Sequence, residues 1–315
     1  MRWFLFTSLL AISIWLPPQI AAAPVIVTES DKTVIVSQEN RPIFQYNKQP
    51  TSQAKSAAPH FSRTGYIHPL YTPSGKVVTG DYAADHPHQH GLFFAWTKSQ
   101  FRGEPTEFWN QAKKLGDIRF GQFQKKSKPL ELEFRQIFTT GKDSDAPVLN
   151  ETWHITFPKE PSPSHYQFDL TSTQTAATEA PLLIQKHHYG GMAIRGHDAW
   201  LPEDKDSPPR GTIITSEGKT RENGNHSRPR WVVMHGPIDG HHCGVAVLAH
   251  PSNFRSPQWV RLHPNKPYFV FAPMVEEPFR IEKGQPYISR FRYLTFDDEP
   301  DLELIETVWK DFAKE

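Results

Sequence analysis

The sequence predicts an all-β fold, a large antiparallel β-sandwich followed by one C-terminal α-helix. The first observation is composition. The 29 prolines and 16 histidines among 315 residues accompany many β-branched and aromatic side chains, which is typical of short strands joined by stiff loops. The second is the alternation of apolar and polar residues along several segments. The third is an apolar stripe of helical period, found convincingly only at the C-terminus.

The predicted strands begin at residue 25 and continue almost to the C-terminus. The clearest is "LELEFRQIF" at 130–138, where apolar and charged residues alternate as on a half-buried strand. In 288–296, Arg290 and Arg292 share one face and the other face is largely aromatic. The full set of predicted strands is 25–28, 33–37, 43–46, 91–96, 130–138, 149–157, 168–172, 182–185, 212–216, 231–235, 244–250, 268–273 and 288–296.

The segment 301–315 is the one predicted helix. Acidic residues occupy its first turn and two lysines lie near its end, as the helix dipole favours. We expect this helix to pack on the sheet through a single apolar stripe, made of Leu302, Ile305, Val308, Trp309 and Phe312.

Residues 1–22 have the pattern of a secretory signal peptide. Arg2 precedes an apolar stretch at 3–16, and small residues follow at 21–23. No later segment is apolar for long enough to span a bilayer, so no stable membrane insertion is expected after signal removal. We therefore predict an exported protein, periplasmic or extracellular, whose mature chain, 23–315, forms a single β-sandwich domain.

Charge and cysteine content exclude several classes of site. The formal net charge is +1 and basic residues are not clustered, so neither nucleic acid nor an anionic membrane surface is an expected partner. Cys243 is the only cysteine, which rules out an intramolecular disulfide and any zinc site that needs two thiolates. The chain also lacks a phosphate-binding loop, a dinucleotide-binding motif and a nucleophile-elbow serine.

The motif "HPHQH" is the strongest candidate for chemistry. In an extended segment, His86, His88 and His90 would project to the same side because they lie two residues apart. Three neutral imidazoles could ligate a divalent metal, completed by Asp81 or Asp85. They could equally hydrogen-bond a sugar or a carboxylate, or serve a structural role, and the spacing leaves all three interpretations open.

Two further histidine segments resemble it. In "KHHYGGMAIRG", His187 and Tyr189 precede a glycine pair that would let the backbone approach a ligand, and Arg195 follows. In "AHPSNF", His250 and Asn253 lie where a predicted strand ends. A residue before proline is held extended, so His-Pro dipeptides belong at strand ends, edges or loops.

A hairpin and a carboxylate complete the set of candidates. Asp239-Gly240 is a common hairpin turn signal, so His241 and His242 are predicted to flank a turn. Glu277 follows an apolar run and could place a carboxylate beside an imidazole, as acid–base catalysis requires.

Several of these segments resemble the PmoA-like family, which is often labelled "methane oxygenase". The resemblance rests on "RPIFQYN", "YIHPLYTPSGKVVTGDYAADHPHQHGLFFAW", "HHYGGMAIRG" and "LAHPSNF", and it covers residues 41 to about 295. A weaker likeness links the later motifs to galactose-mutarotase-type supersandwich proteins. The resemblance implies a supersandwich-like domain whose rim histidines form a small-molecule site, with carbohydrates as the expected ligands. We infer no methane chemistry from the label, because no segment after residue 22 could span a membrane.

The family likeness assigns the site residue by residue. The family often has a histidine-arginine pair where this chain has Gln89-His90. The positions that match the family are His86, His88, Tyr189, Arg195, His250 and Asn253. With His90 added on spacing alone, these residues are the predicted substrate-binding set, apart from His88, which is assigned to catalysis.

The leading hypothesis is an exported carbohydrate-active enzyme: an epimerase, lyase or hydrolase. His88 and His187 would form its acid–base pair, Arg195 would clamp the substrate, and Glu277 would be a possible base. The expected partner is a small molecule or an oligosaccharide.

Two rival hypotheses stand beside it. One is a metal-dependent oxidoreductase or oxygenase that holds a divalent metal on His86, His88 and His90. The other is a carbohydrate-binding protein without catalytic activity, which would bind saccharides through the same histidines and form no product.

Overall fold

The computed structural model describes residues 24–51, 57–127, 130–141, 146–162 and 164–315. The predicted signal peptide, 1–22, lies outside the described residues. The chain forms the strands β1 Val25–Glu29, β2 Thr33–Gln38, β3 Arg41–Asn47, β4 Tyr66–Leu70, β5 Asp81–Ala83, β6 His86–His90, β7 Leu92–Ala95, β8 Ser99–Phe101, β9 Glu104–Thr106, β10 Gly116–Ser127, β11 Leu130–Thr140, β12 Pro147–Thr156, β13 His165–Ala176, β14 Leu182–Ile184, β15 Gly191–Arg195, β16 Thr212–Thr215, β17 Trp231–Ile238, β18 His241–Ala249, β19 Val260–Leu262, β20 Tyr268–Phe271, β21 Phe279–Ile281 and β22 Tyr287–Asp297, and the helix α1 Leu302–Phe312.

Two eight-stranded antiparallel sheets dominate the architecture, so the predicted all-β class is confirmed. The first sheet has the order β1-β2-β3-β4-β7-β15-β20-β19, and the second has the order β10-β11-β12-β13-β22-β18-β17-β16. A four-stranded sheet, β21-β14-β8-β9, and the hairpin β5-β6 complete the strand pairing.

The core lies between the two large sheets. Phe44 of β3 contacts Phe168 of β13, with ring centroids 5.1 Å apart. Further along the same interface, the indole N–H of Trp96 donates a hydrogen bond of 2.6 Å to Gln174 of β13. All four side chains are buried, and such inward-facing residues are what hold a sandwich together.

Helix α1 covers the other side of the second sheet, as the apolar stripe predicted. Ile305 and Phe312 are buried in a small cluster with Trp231 of β17 and Leu294 of β22. The carboxylate of Asp301 accepts a hydrogen bond from the backbone N–H of Leu304 and so caps the helix at its start. No helix among the described residues is both long and apolar enough to cross a membrane.

Some strands could not be predicted because their residues do not alternate between apolar and polar, and this has two different physical reasons. β10 is the edge strand of the second sheet and most of its second half is exposed, so polar residues are tolerated there. β15 lies inside the first sheet and all five of its residues are buried, so it shows no alternation. By contrast, the predicted turn at Asp239-Gly240 is confirmed, since it joins β17 to β18 with both residues at positive φ.

Candidate functional site

The face of the first sheet that points away from the second sheet, here called the outer face, carries a group of polar and aromatic side chains. Residues paired across neighbouring strands point to the same side. Phe93 pairs with Ala193, and Arg195 pairs with Tyr268. Arg261, paired with a valine of β20, projects to this same side. The outer face therefore combines aromatic rings with two guanidinium groups.

The hairpin β5-β6 brings two histidines to this face. The rings of His86 and His88 lie 5.5 Å apart, centroid to centroid. His263 follows β19, and its ring lies 6.0 Å from His86 and 5.0 Å from Tyr268. Histidines from two segments that are far apart in the sequence therefore meet beside one tyrosine.

The segment before the glycine pair supplies the neighbouring side chains. The ring of Tyr189 lies 5.2 Å from Trp109, 4.6 Å from His187 and 4.7 Å from His188. The amide nitrogen of Asn110 donates a 3.0 Å hydrogen bond to the Tyr189 hydroxyl. The segment is followed by a glycine pair at positive φ, and a Cβ on Gly191 would lie 2.2 Å from the backbone oxygen of Phe271.

Arg261 joins the two groups. Burial and then the Arg261 charge lower the pKa of His188, and the same charge offsets part of the rise in the pKa of Tyr268 that burial causes, so Arg261 lies near both side chains. Tyr268 in turn lies 6.3 Å from Trp109. Arg261 forms no ion pair with a carboxylate of the described residues, and its Nε is buried without a hydrogen-bond partner. We refer to these residues as the outer-face cluster, whose members are His86, His88, Asn110, Trp109, His187, His188, Tyr189, Arg261, His263 and Tyr268.

Three imidazoles of the outer-face cluster, those of His88, His187 and His263, are held in the neutral form because their pKa values are lowered. Burial and neighbouring imidazoles lower the pKa of His88 to about 4. Burial and the adjacent His188 lower the pKa of His187 to about 4, and burial with Arg261 lowers the pKa of His263 to about 3. At neutral pH these side chains can accept a proton or a hydrogen bond.

Asp85 anchors the histidine end of the cluster. Its carboxylate accepts a hydrogen bond from His86 Nδ1 at 3.0 Å. It also forms ion pairs with Lys266 at 2.8 Å and with Arg195 at 3.3 Å. Burial alone would raise the pKa of Asp85, but the bonds from His86 and Lys266 and the Arg195 charge hold it well below its ordinary value. Asp85 therefore stays ionised and orients the His86 ring.

Arg195, the predicted substrate clamp, is buried and holds the hairpin β5-β6 in position. Its side chain is 0% exposed and donates to Gln89 Oε1 at 3.0 Å and to Asp198 Oδ1 at 2.8 Å. These bonds, together with the contact to Asp85, fix the base of the hairpin β5-β6. The guanidinium that borders the histidine side chains at the surface is that of Arg261.

His90 has a different environment from the other two histidines of its motif. It is 0% exposed, with Nδ1 2.8 Å from Asp81 Oδ1 and Nε2 3.1 Å from Gln111 Oε1. Both ring nitrogens are therefore engaged inside the protein. Within the described part of the chain, His86, His88 and His90 do not bring three ligand atoms within 4.8 Å of one another.

His250 and Asn253 lie at the second sheet, away from the outer-face cluster. The His250 ring lies 4.9 Å from Phe312 of α1, and its Nδ1 is 2.6 Å from the Ser252 hydroxyl. The Asn253 amide accepts from the Arg290 N–H at 2.7 Å and donates to the Arg290 carbonyl at 2.9 Å. These contacts fasten the loop after β18 to β22.

The predicted carboxylate, Glu277, is 74% exposed and its nearest ionic partner is Arg255 at 3.4 Å. Glu107 instead is the buried carboxylate near the cluster, and its charge offsets a small part of the lowering of the pKa of His88 and His187 that burial causes. Its carboxylate accepts from Lys113 at 2.9 Å and from the backbone N–H of Asn110 at 3.2 Å. It thereby shapes the turn that presents Asn110.

A family model described as "Family of unknown function (DUF6807)" matches residues 33–310. The chain belongs to this family. No curated protein matches the sequence of this DUF6807 chain, and the resemblance to the PmoA-like family stays a prediction.

Solved structures give only distant likenesses to the DUF6807 chain. A heparan sulfate lyase HepC mutant from Pedobacter heparinus is 9% identical, with a TM-score of 0.35, and the match covers 90% of this chain and 36% of that one. The α-galactosidase AgaA from Geobacillus stearothermophilus is 7% identical, with a TM-score of 0.40, over 87% of this chain and 41% of that one. The Slr1438 protein from Synechocystis is 8% identical, with a TM-score of 0.33, over 91% of this chain and all of that one. The chain thus spans about two fifths or less of the two enzymes.

Sequence reasoning missed several residues at or near the site of this DUF6807 protein, among them Glu107, Asn110, Arg261, His263 and Tyr268. Only His263 carried a signal, since it precedes a proline as His86 does. Arg261 lies on a strand of three residues, which is too short to show an alternating pattern. Tyr268 opens a fully buried strand, where an aromatic residue is indistinguishable from core.

Proposed function

We propose that this DUF6807 protein is an exported carbohydrate-active enzyme that performs acid–base chemistry on a sugar bearing a carboxylate. The observation that carries the proposal is the convergence of uncharged imidazoles with Arg261 and tyrosine rings in one outer-face cluster. Aromatic rings offer a surface for the apolar face of a sugar, and the imidazoles and Asn110 offer hydrogen bonds to its hydroxyls.

The carboxylate is inferred from Arg261. Its guanidinium has no ion pair with a described carboxylate and lies beside neutral histidines. A guanidinium binds a carboxylate through paired, charge-assisted hydrogen bonds. A uronic acid would supply that group and the hydroxyls in one molecule. Glu277 has no part in this site, because its ionic contact is with Arg255.

The chemistry follows from these partners. Once Arg261 neutralises the sugar carboxylate, the C5–H bond next to it becomes more acidic, and neutral His88 can take that proton. In a lyase the C–H electron pair forms the C4–C5 double bond, and the C4–O bond breaks with its electrons leaving on oxygen, which is then protonated. In an epimerase a proton returns to C5 from the opposite face. His187 is the second acid–base group.

Purified protein should be assayed against matched panels of neutral and uronic-acid oligosaccharides. Unsaturated products are followed by ultraviolet absorbance and epimerised products by NMR. We expect turnover of a uronic-acid substrate, a loss of about 100-fold or more in kcat for His88→Gln, and a raised KM for Arg261→Gln. His154→Gln is the matched control, because His154 is half-buried on β12 of the other sheet and lies outside the outer-face cluster.

The outcomes separate the hypotheses. Saturable binding without product overturns the enzymatic proposal in favour of a carbohydrate-binding protein. Equal turnover of neutral and uronic-acid substrates overturns the role of Arg261. Neither binding nor turnover across the panels overturns the proposed function as a whole.

A further inference from the structure

A second histidine group lies on the hairpin β17-β18, on the side of the second sheet that α1 covers. His235 pairs with Gly244 across the hairpin, so His242, two residues before that glycine, projects to the same side. Glu299 lies in the segment between β22 and α1 and reaches the same point. The outer-face cluster, in contrast, lies on the first sheet.

The three side chains bring their ligand atoms together. His235 Nδ1 is 2.7 Å from His242 Nε2, and the Glu299 carboxylate is 3.5 Å from His235 Nδ1 and 3.1 Å from His242 Nδ1. Each residue offers one ligand atom, and these atoms all lie within 4.8 Å of one another. Among the described residues this is the one set of three or more potential ligands with such spacing.

The facing nitrogens of His235 and His242 lie at hydrogen-bond distance, so one of them carries a proton that the other accepts. At 2.7 Å a single proton can lie between the two facing nitrogens, and a metal ion can replace it. We propose that His235, His242 and Glu299 form a binding site for a divalent transition metal ion, with Zn²⁺ as the expected occupant. Two imidazoles with one carboxylate suit Zn²⁺, whereas Mg²⁺ and Ca²⁺ require oxygen-rich ligand sets.

The site can adjust to the ion's size. Zn–N bonds of about 2.0–2.1 Å place two tetrahedral nitrogen ligands about 3.3 Å apart, so the two rings must separate slightly. His235 is buried and fixed, while His242 is half-buried and Glu299 is 72% exposed, so the latter two can move. Cys243 is not a ligand, because its side chain is buried in the core between the sheets.

Metal binding here would join the β17-β18 hairpin to the segment that leads into α1. The three ligands come together only in the folded chain, so the ion stabilises the native state as its concentration exceeds the Kd. The site does not depend on the proposed saccharide chemistry.

The test is titration of metal-stripped protein, produced without a polyhistidine tag, with ZnCl₂ by isothermal calorimetry. We expect about one Zn²⁺ per chain, a higher Tm in its presence, and at least a tenfold weaker Kd for His242→Gln and Glu299→Gln. His241→Gln is the matched control on the same hairpin, because His241 is exposed and outside the ligand set. It should bind like the wild type.

Two results would overturn the proposal. One is the absence of stoichiometric binding to wild-type protein. The other is binding that persists in His242→Gln and Glu299→Gln but disappears when His86 and His88 are both replaced by glutamine. Thermal unfolding of the metal-free variants checks that each is folded. Glu299 is exposed, so Glu299→Gln should not disturb the fold.

Discussion

The motif "HPHQH" shows how one residue type serves two purposes within five positions. His86 and His88 border solvent in the outer-face cluster, while His90 is buried between Asp81 and Gln111. The difference arises because partners for His90 come from other segments. A buried imidazole with both nitrogens hydrogen-bonded contributes to stability, while a half-buried one is free to contact a ligand.

Replacing His90 by alanine should therefore destabilise the protein. The substitution leaves Oδ1 of the buried Asp81 carboxylate without its partner, while Tyr66 still donates to Oδ2, and we expect the free energy of unfolding to fall by about 3 kcal/mol. His86→Ala, at a half-buried position, should cost about 1 kcal/mol or less. Urea denaturation of both variants measures the difference, and equal losses would contradict the structural role assigned to His90.

The neutral histidines also predict a pH dependence of stability. Unfolded histidine has a pKa of about 6.5, whereas burial lowers the pKa of His88 and His187 to about 4. Between these values the unfolded chain binds more protons than the folded one, so the free energy of unfolding falls as pH drops from about 6.5 towards 4. Above about pH 6.5 this contribution of the neutral histidines to the free energy of unfolding is fully retained. Urea denaturation across this range, with His88→Gln showing a shallower slope, is the measurement, and a flat profile would refute the expectation.

At the scale of elements, α1 depends for local stability on Asp301, the residue that precedes it and caps its start. Asp301 accepts the Leu304 N–H at 2.9 Å, which satisfies one of the free donors at the helix start. Asp301→Ala should lower the free energy of unfolding by about 1 kcal/mol. Asp311→Ala is the control, because it removes only an exposed ion pair with Lys314 and should cost no more than about 0.5 kcal/mol. A larger loss for the control than for Asp301→Ala would argue against the capping role.

At the scale of the whole molecule, the two large sheets share one core. Phe44 of the first sheet is 0% exposed and packs against Phe168 of the second sheet. Phe44→Ala should reduce the free energy of unfolding by about 3–5 kcal/mol because it leaves a cavity between the sheets. Ile288→Ala, at a side chain 44% exposed, should cost less than about 1 kcal/mol. Chemical denaturation compares them, and separate transitions for the two sheets would contradict a shared core.

The features that depend on neighbouring residues could be predicted from the sequence alone. Apolar alternation is imposed wherever a strand has one buried face, so "LELEFRQIF" and the segment around Arg290 could be predicted as strands. The stripe and flanking charges of α1, and the turn at Asp239-Gly240, are equally local. The all-β class and the terminal helix followed from them.

Only the tertiary structure decided which side chains meet. Arg261, His263 and Tyr268 join His86 and His88 because β19 and β20 lie in the same sheet as β7 and β15, an adjacency that local pattern does not encode. The same long-range packing placed His250 and Asn253 beside β22 and Glu277 beside Arg255. Spacing could indicate that residues share a direction, but burial and partners from distant segments determine whether they face a ligand or support the fold.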